Sequence, residues 1–214
     1  MVIAVVGSGG KTTLIHKLAK EYLDMGKRVF VTTSTHMGIE EDTLLSDDAE
    51  EIIRVLSEKG YVMAGVPEGI KIHTLSRDTY EKVCAHADVV LVEADGSARR
   101  PVKFPNATEP VIYDNTDRII IVCNLMAIGS TFKESAFRLE LIKAQLGVTE
   151  DTRITAEHIQ KLIRVGYLQR LAKEYPDKEL EVYPVHADTP EQCALAERIR
   201  ENLDVNADMP GNEA

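Results

Sequence analysis

The strongest constraint on this chain lies in its first thirteen residues. Val2-Ile3-Ala4-Val5-Val6 is an apolar, mostly β-branched run, long enough for one buried strand. Gly7-Ser8-Gly9-Gly10 follows with no side chain larger than a hydroxymethyl, and then Lys11-Thr12-Thr13 opens a helical pattern. A strand that passes through a glycine loop into a helix beginning Lys-Thr is an arrangement that cradles phosphate. Glycines let backbone N–H groups turn inward and approach an anion closely. The helix N-terminus adds unpaired donors and a partial positive charge. On this reading Gly7, Ser8, Gly9, Gly10, Lys11, Thr12 and Thr13 contact a nucleotide. Lys11 reaches the β- and γ-phosphates, and the Thr12 hydroxyl sits on Mg²⁺. The alternative is a tight strand-to-helix turn without a ligand.

The spacing is shorter than in the usual P-loop. G-x-x-x-x-G-K-[ST] would put its first glycine where Val5 stands, whereas the sequence here reads G-x-G-G-K-T from Gly7. This compact loop resembles that of the Mur peptide ligases.

A chain of 214 residues suggests one domain, read as residues 1–203, with a polar and disordered tail over 204–214. The net charge of −10 argues against a nucleic-acid surface, and with Trp absent and few aromatics there is little to stack bases on. Cys84, Cys123 and Cys193 are far apart and form neither a disulfide framework nor a zinc pattern, as in a cytoplasmic protein with reduced thiols. Cys84 and His86 offer two metal ligands at best, and read as ordinary packing. No apolar run approaches membrane-spanning length, and Val2 enters a strand without a signal-peptide pattern.

Beyond the loop, Leu14, Ile15, Leu18, Ala19 and Leu23 recur at helical spacing until Gly26. Val29-Phe30-Val31 is a second strand, making a βαβ unit with parallel strands. It runs into Thr32-Thr33-Ser34-Thr35-His36, which is poor core material but suits the carboxyl end of a strand facing a ligand crevice. Thr33 or Thr35 could contact Mg²⁺ or a γ-phosphate, and His36 a substrate; a solvated loop is the alternative. Glu40 to Ser46 reads as an acidic loop or short helix, Ala49–Lys59 as an amphipathic helix ended by Gly60, and Tyr61–Gly65 as a strand with a hairpin return near Ile70–Ile72. A helix capped by Ser76 or Asp78 follows.

Asp88-Val89-Val90-Leu91-Val92 is an interior strand that delivers Glu93 and Asp95 at its tip. Acid at that position holds Mg²⁺, directly or through water, and can orient an attacking water. Gly96 then allows backbone to approach a γ-phosphate. In the Arg99–Pro105 stretch, Arg99 and Lys103 are candidate anion-binding cations, Lys103 being favoured because Val102 and Phe104 box it in. Arg118–Cys123 is another interior strand, ending at Asn124. The N-K-x-D sequence that reads guanine is missing there, so adenine is the default and Asn124 is kept as a cofactor-side candidate. Ser135–Leu146 reads as one helix, Thr155 caps another that ends at Gly166, Tyr167–Tyr175 is helical, Val182–Val185 is a strand and Pro190–Leu203 a helix.

Together the Gly7–Thr13 loop, Thr32–His36, Val92–Ser97 and Pro101-Val102-Lys103 occur in the order and spacing of one family. The chain resembles the YqeC family from Val2 to about Leu203, with Ser34 and Asn124 as departures from its pattern. The Glu93 segment also resembles the acidic strand end of dethiobiotin synthetase-like proteins. The resemblance implies a role in maturing a selenium-dependent molybdenum hydroxylase.

The alternation of strands and helices sets the fold class as α/β, a three-layer α/β/α P-loop NTPase fold with a mainly parallel sheet. The preferred function is Mg²⁺-dependent binding and hydrolysis of ATP or another nucleoside triphosphate, with Lys11, Glu93 and Asp95 catalytic and Thr12, Thr33 and Glu93 toward the metal. A small-molecule phosphotransferase or ATP-dependent ligase and a non-catalytic nucleotide-sensing module stay open beside it. Expected partners are the nucleotide, a molybdenum hydroxylase or its cofactor and, as a candidate, a second copy in a homodimer. Nucleic acid and membrane are not expected.

Overall fold

Why the N-terminal half folds as it does follows from its strand sequences. In a computed structural model, which describes residues 1–203, the apolar runs become strands that are buried end to end. The expected tail over 204–214 lies outside the described residues. The residues gather into two compact units, each assembled from several stretches of chain. The first takes Met1–Val6, Lys11–Gly96 and Glu109–Arg118; the second takes Gly7–Gly10, Ser97–Thr108 and the chain from Ile119 onward.

The first unit runs β1 (Val2–Gly7), α1 (Lys11–Asp24), β2 (Val29–Thr33), β3 (His36–Gly38), β4 (Thr43–Leu45), α2 (Ala49–Lys59), β5 (Tyr61–Glu68), β6 (Lys71–His73), α3 (Arg77–Cys84) and β7 (Val89–Glu93). Its sheet has the order β1-β7-β2-β5-β6-β3, with β4 also on β5. The pairs β1/β7, β7/β2, β2/β5 and β4/β5 are parallel, and the hairpin strands β6 and β3 are antiparallel. This is an α/β arrangement with a mainly parallel sheet, as the alternating pattern predicts.

Crossover handedness places the helices. The step from β1 to β2 crosses the sheet in one direction, whereas β4 to β5 and β5 to β7 cross it in the other. Right-handed connections therefore put α1 on one face and α2 with α3 on the other. The core agrees. Phe30, Val62, Ala64, Val90 and Val92 share one face and pack with Ile52 and Leu56 of α2 and Tyr80 and Val83 of α3. Leu14, Ile15 and Ala19 of α1 are buried as well. Local signals start and stop these helices: Asp48 accepts from the Glu50 and Glu51 amides and Gly60 closes α2 at φ 74°, while Ser76 caps α3. Leu56 is fully buried, so Leu56→Ala is expected to cost about 2–5 kcal/mol in urea unfolding. A loss under half a kilocalorie would mean that α2 is not packed on this sheet face.

The second unit contains β8 (Val102–Lys103), β9 (Arg118–Asn124), α4 (Phe132–Ser135), β10 (Ala136–Phe137), α5 (Leu139–Leu146), α6 (Ala156–Ile163), α7 (Gln169–Glu174), β11 (Glu179–Val185) and α8 (Pro190–Asn202). β9 neighbours β11, and β10 pairs with β8 in parallel.

Three expectations change. The acidic Glu40–Ser46 segment contains strand β4, because Thr43-Leu44-Leu45 pairs with Met63-Ala64-Gly65. The single helix over Ser135–Leu146 is two helices. A Thr131–Glu134 capping box starts α4 early, β10 interrupts, and Arg138 turns left-handed at φ 61° before α5. The break at Gly166 does not occur. Arg164–Leu168 widens into a π-helical turn that joins α6 to α7. Gly166 instead provides room, since a Cβ there would lie 3.0 Å from Pro105 and 3.2 Å from the Phe104 ring.

Candidate functional site

Parallel pairing brings the carboxyl ends of the central strands to one edge of the sheet. Val5 is registered against Glu93, and Glu93 against Thr33. Glu93 is the last residue of β7 and Asp95 lies two residues on, so an extended chain would send both carboxylates the same way. Lys11 is the first residue of α1 and is buried. Its Nζ lies 3.2 Å from Asp95 Oδ1 and 3.9 Å from Glu93 Oε1. The Thr12 hydroxyl donates to Glu93 Oε2 at 2.9 Å. Asp95 is fully buried and Glu93 is 8 % exposed. Taking such charges out of water costs several kcal/mol per ion unless each is compensated, and Lys11 provides that compensation here.

The hydroxyl run at the end of β2 is less available than its sequence suggests. Thr32 donates to the Ala64 carbonyl at 2.9 Å, and Ser34 to the Val111 carbonyl at 2.6 Å. Thr33 donates to the Glu93 carbonyl at 2.8 Å and accepts from the Thr35 amide at 3.0 Å. Its hydroxyl thus fastens β2 to β7, a backbone duty that competes with metal ligation. Thr35 differs, for its Oγ1 is buried and makes no hydrogen bond among the described residues. His36 is bonded to another residue. It begins β3, is exposed, and pairs through Nε2 with Glu68 at 2.7 Å.

The glycine loop leads from β1 into α1, and each glycine has its own geometric reason. Gly7 and Gly10 adopt φ of 106° and 112°, a region that penalises any Cβ. At Gly9 a Cβ would lie 2.9 Å from Asn124 Nδ2 and 3.2 Å from Pro101 Cα. The Ser8 amide donates to the Val122 carbonyl at 3.2 Å and the Gly9 amide to the Arg100 carbonyl at 3.1 Å. Asn124 does not point outward as a base reader would. Its Nδ2 donates to the Gly9 carbonyl and its Oδ1 accepts from the Met126 amide, both at 2.9 Å, so the side chain clamps the loop. Ser8, Asn124 and the buried Lys103 line one small pocket with Pro101, Cys123 and Ile159. Burial pushes the Cys123 thiol up to about 12, which removes it as a nucleophile.

Of the remaining candidates, Thr13 and Arg99 are exposed, and a Cβ at Gly96 would meet open space. Arg100, one of the three cations of the Arg99–Pro105 stretch, donates from Nη1 to the Glu134 carbonyl, and its own carbonyl holds the Gly9 amide. Nothing in a residue's identity signals that its main-chain oxygen will be used. A cleft of about 430 Å³ opens beside α1, lined by His16, Lys20, Asp24, Glu40, Asp42 and Tyr61. Burial first, and then the negative charges of Glu40 and Asp42, push the half-buried Tyr61 phenol in this cleft up to about 12. No helix among the described residues is long and apolar enough to cross a membrane.

The protein YqeC of Escherichia coli (strain K12) is 28% identical over 180 residues, spanning 76% of this chain and 67% of its own. Among solved structures, the MinC:MinD cell division protein complex of Aquifex aeolicus aligns over 93% of this chain and 86% of its own, at 16% identity and a TM-score of 0.36. The family described as YqeC protein matches residues 3–140. Since that match takes in the glycine loop, the Thr32–His36 strand end, the Glu93–Asp95 acids and Lys103, this chain belongs to the YqeC family.

Proposed function

We propose that the protein binds a nucleoside triphosphate with Mg²⁺ at the Gly7–Thr13 loop and hydrolyses it. The observation that carries this reading is the buried cluster of Lys11, Thr12, Glu93 and Asp95 at the strand carboxyl ends. One ammonium, one hydroxyl and two carboxylates are hard oxygen and nitrogen groups of the kind that Mg²⁺ and phosphate select. Among the described residues, no three His, Cys, Asp or Glu side chains converge as a metal set. Mg²⁺ keeps waters and phosphate oxygens and takes only one or two protein carboxylates, which Glu93 and Asp95 can provide. The residues present therefore fit the group.

Lys11 neutralises phosphate charge, and the loop amides that precede it in the chain donate to phosphate oxygens. Thr12 and Glu93 would hold the metal, which would supply positive charge to the phosphates. Asp95 orients the attacking water through its carboxylate, and the unpartnered Thr35 hydroxyl contacts the terminal phosphate or the metal. Thr33, occupied on the backbone, takes an indirect part by holding Thr35. Arg99 and Lys103 are the cations proposed for an anionic second substrate, and Gly96 the residue proposed for close backbone approach to phosphate. We take ATP as the nucleotide, and maturation of a selenium-dependent molybdenum hydroxylase or its cofactor as the process that hydrolysis serves; a homodimer is the form to look for when nucleotide is bound.

Calorimetry with ATP and GTP, each with and without Mg²⁺, together with phosphate release, tests the reading. Glu93→Gln is expected to keep nucleotide binding while Mg²⁺ no longer strengthens it, and to slow turnover by about 10²-fold. Absence of binding to either nucleotide in the unaltered protein would overturn the proposal.

A further inference from the structure

The turn that follows Asp95-Gly96 in the chain is built from residues ill-suited to it. The Arg100 amide donates to the Ser97 carbonyl at 2.9 Å, which closes a four-residue turn. Its two central residues, Ala98 and Arg99, have φ of 49° and 59°. Positive φ at both centres is the signature of a type I′ turn, which is dominated by Gly, Asn and Asp. For Ala and Arg it is strained, and such strain persists only where surrounding contacts over-determine it. Those contacts are visible. The Arg100 carbonyl accepts from the Gly9 amide at 3.1 Å, and the Arg100 guanidinium donates to the Glu134 carbonyl. Pro101 lies close enough to Gly9 that a Cβ there would stand 3.2 Å from its Cα.

The Gly9 amide is one of the donors that the glycine loop offers to phosphate. We infer that the Ser97–Arg100 turn is a self-docking gate on this loop, its Arg100 carbonyl taking the place of a phosphate oxygen on the Gly9 N–H. Phosphate and the Arg100 carbonyl compete for one donor. Nucleotide binding displaces the carbonyl, lets Ala98 and Arg99 relax from the left-handed region, and frees the Arg100 side chain from Glu134. The strain partly offsets the docking contact, so the gate opens at modest cost. Nucleotide occupancy is thereby converted into movement of two adjacent arginines, Arg99 and Arg100. This inference rests on the proposed nucleotide binding at the loop.

Two substitutions at Ala98 move the gate in opposite directions. Ala98→Gly removes the left-handed penalty and stabilises the docked turn, so Mg²⁺–ATP should bind about five-fold more weakly. Ala98→Pro fixes φ near −65° and forbids the docked turn, so Mg²⁺–ATP should bind more tightly than in the unaltered protein. Hydrogen exchange gives a reading independent of affinity. In the absence of nucleotide the Gly9 amide should be protected, and faster to exchange in Ala98→Pro. On adding Mg²⁺–ATP to the unaltered protein, the Arg100 amide should lose protection. If ATP binds but the two variants shift affinity in the same direction or not at all, or if the Arg100 amide stays protected, the gate is refuted while the nucleotide site stands. If the unaltered protein binds no ATP, both fall together.

Discussion

Replacing Lys11 with methionine is expected to abolish nucleotide turnover and, at the same time, to destabilise the protein before any nucleotide is added. The first effect follows from its proposed place on the phosphates: loss of a preorganised charge at a transferring phosphoryl group costs about 10²–10³-fold in rate. The second follows from the structure itself. Asp95 is fully buried and Glu93 nearly so, with the Lys11 ammonium 3.2 Å and 3.9 Å from their carboxylates. Methionine keeps the unbranched stem of the side chain and deletes the charge. Removing one partner from a buried ion pair costs roughly 3–5 kcal/mol, because the other charge is left uncompensated. A variant that loses turnover but unfolds at the same urea concentration at neutral pH would show that the Lys11 contacts contribute no stability.

Legibility from sequence followed the range over which each signal acts. β1, the glycine loop and α1 could be read because an apolar run, three glycines and a helical period lie side by side. The same holds for β7 with its two acids, where an interior strand ends abruptly in Glu93 and Asp95. The Thr155 helix start was legible because a cap is set by residues close in sequence, and the Pro190 start because proline suits a first helical turn; both carry capping boxes, with His158 and Gln192 reaching back. Strand β4 was not legible. Thr43-Leu44-Leu45 is too short and too acidic in its surroundings to read as a strand, and it exists because β5 offers an edge to it. Gly166 misled for a related reason. A glycine in a helical pattern marks either a stop or a close approach, and only the position of Phe104 and Pro105 decides which.

In the candidate site, residue types were legible and their assignments were not. Four hydroxyls in Thr32–Thr35 looked equivalent, yet three are spent on backbone carbonyls of neighbouring segments and only the Thr35 oxygen is left buried without a partner. Asn124 drew notice at the end of β9, where other nucleotide-binding proteins read the base. Here its amide is spent on Gly9 and Met126. The Arg99–Lys103 cations were read as one group, but they divide into an exposed Arg99, an Arg100 whose head lies on the Glu134 carbonyl and a buried Lys103. Each of these divisions depends on partners far away in sequence, which no local pattern encodes.

Gly7→Ala is the substitution for which the largest steric penalty is expected. Gly7 has φ of 106°, and a Cβ built there lies 2.2 Å from the Val122 carbonyl oxygen and 2.9 Å from the Val122 amide nitrogen. Both are backbone atoms of β9, so no rotamer change can relieve the clash; the strand or the loop must move. The Ser8 amide bonds to that same carbonyl at 3.2 Å, so displacement also breaks the contact that seats the loop. A left-handed residue that gains a Cβ loses about 1–2 kcal/mol, and overpacking adds about 1–3 kcal/mol. Gly26→Ala is the natural comparison, because Gly26 has φ of 73° with nothing within 4 Å of a Cβ. It carries the conformational penalty without the clash. The difference between the two variants in unfolding free energy therefore isolates the cost of moving β9 away from the loop, and should be about 1–3 kcal/mol. Equal destabilisation would mean that the loop gives way freely, and that the short G-x-G-G-K-T spacing is not held in place by Val122.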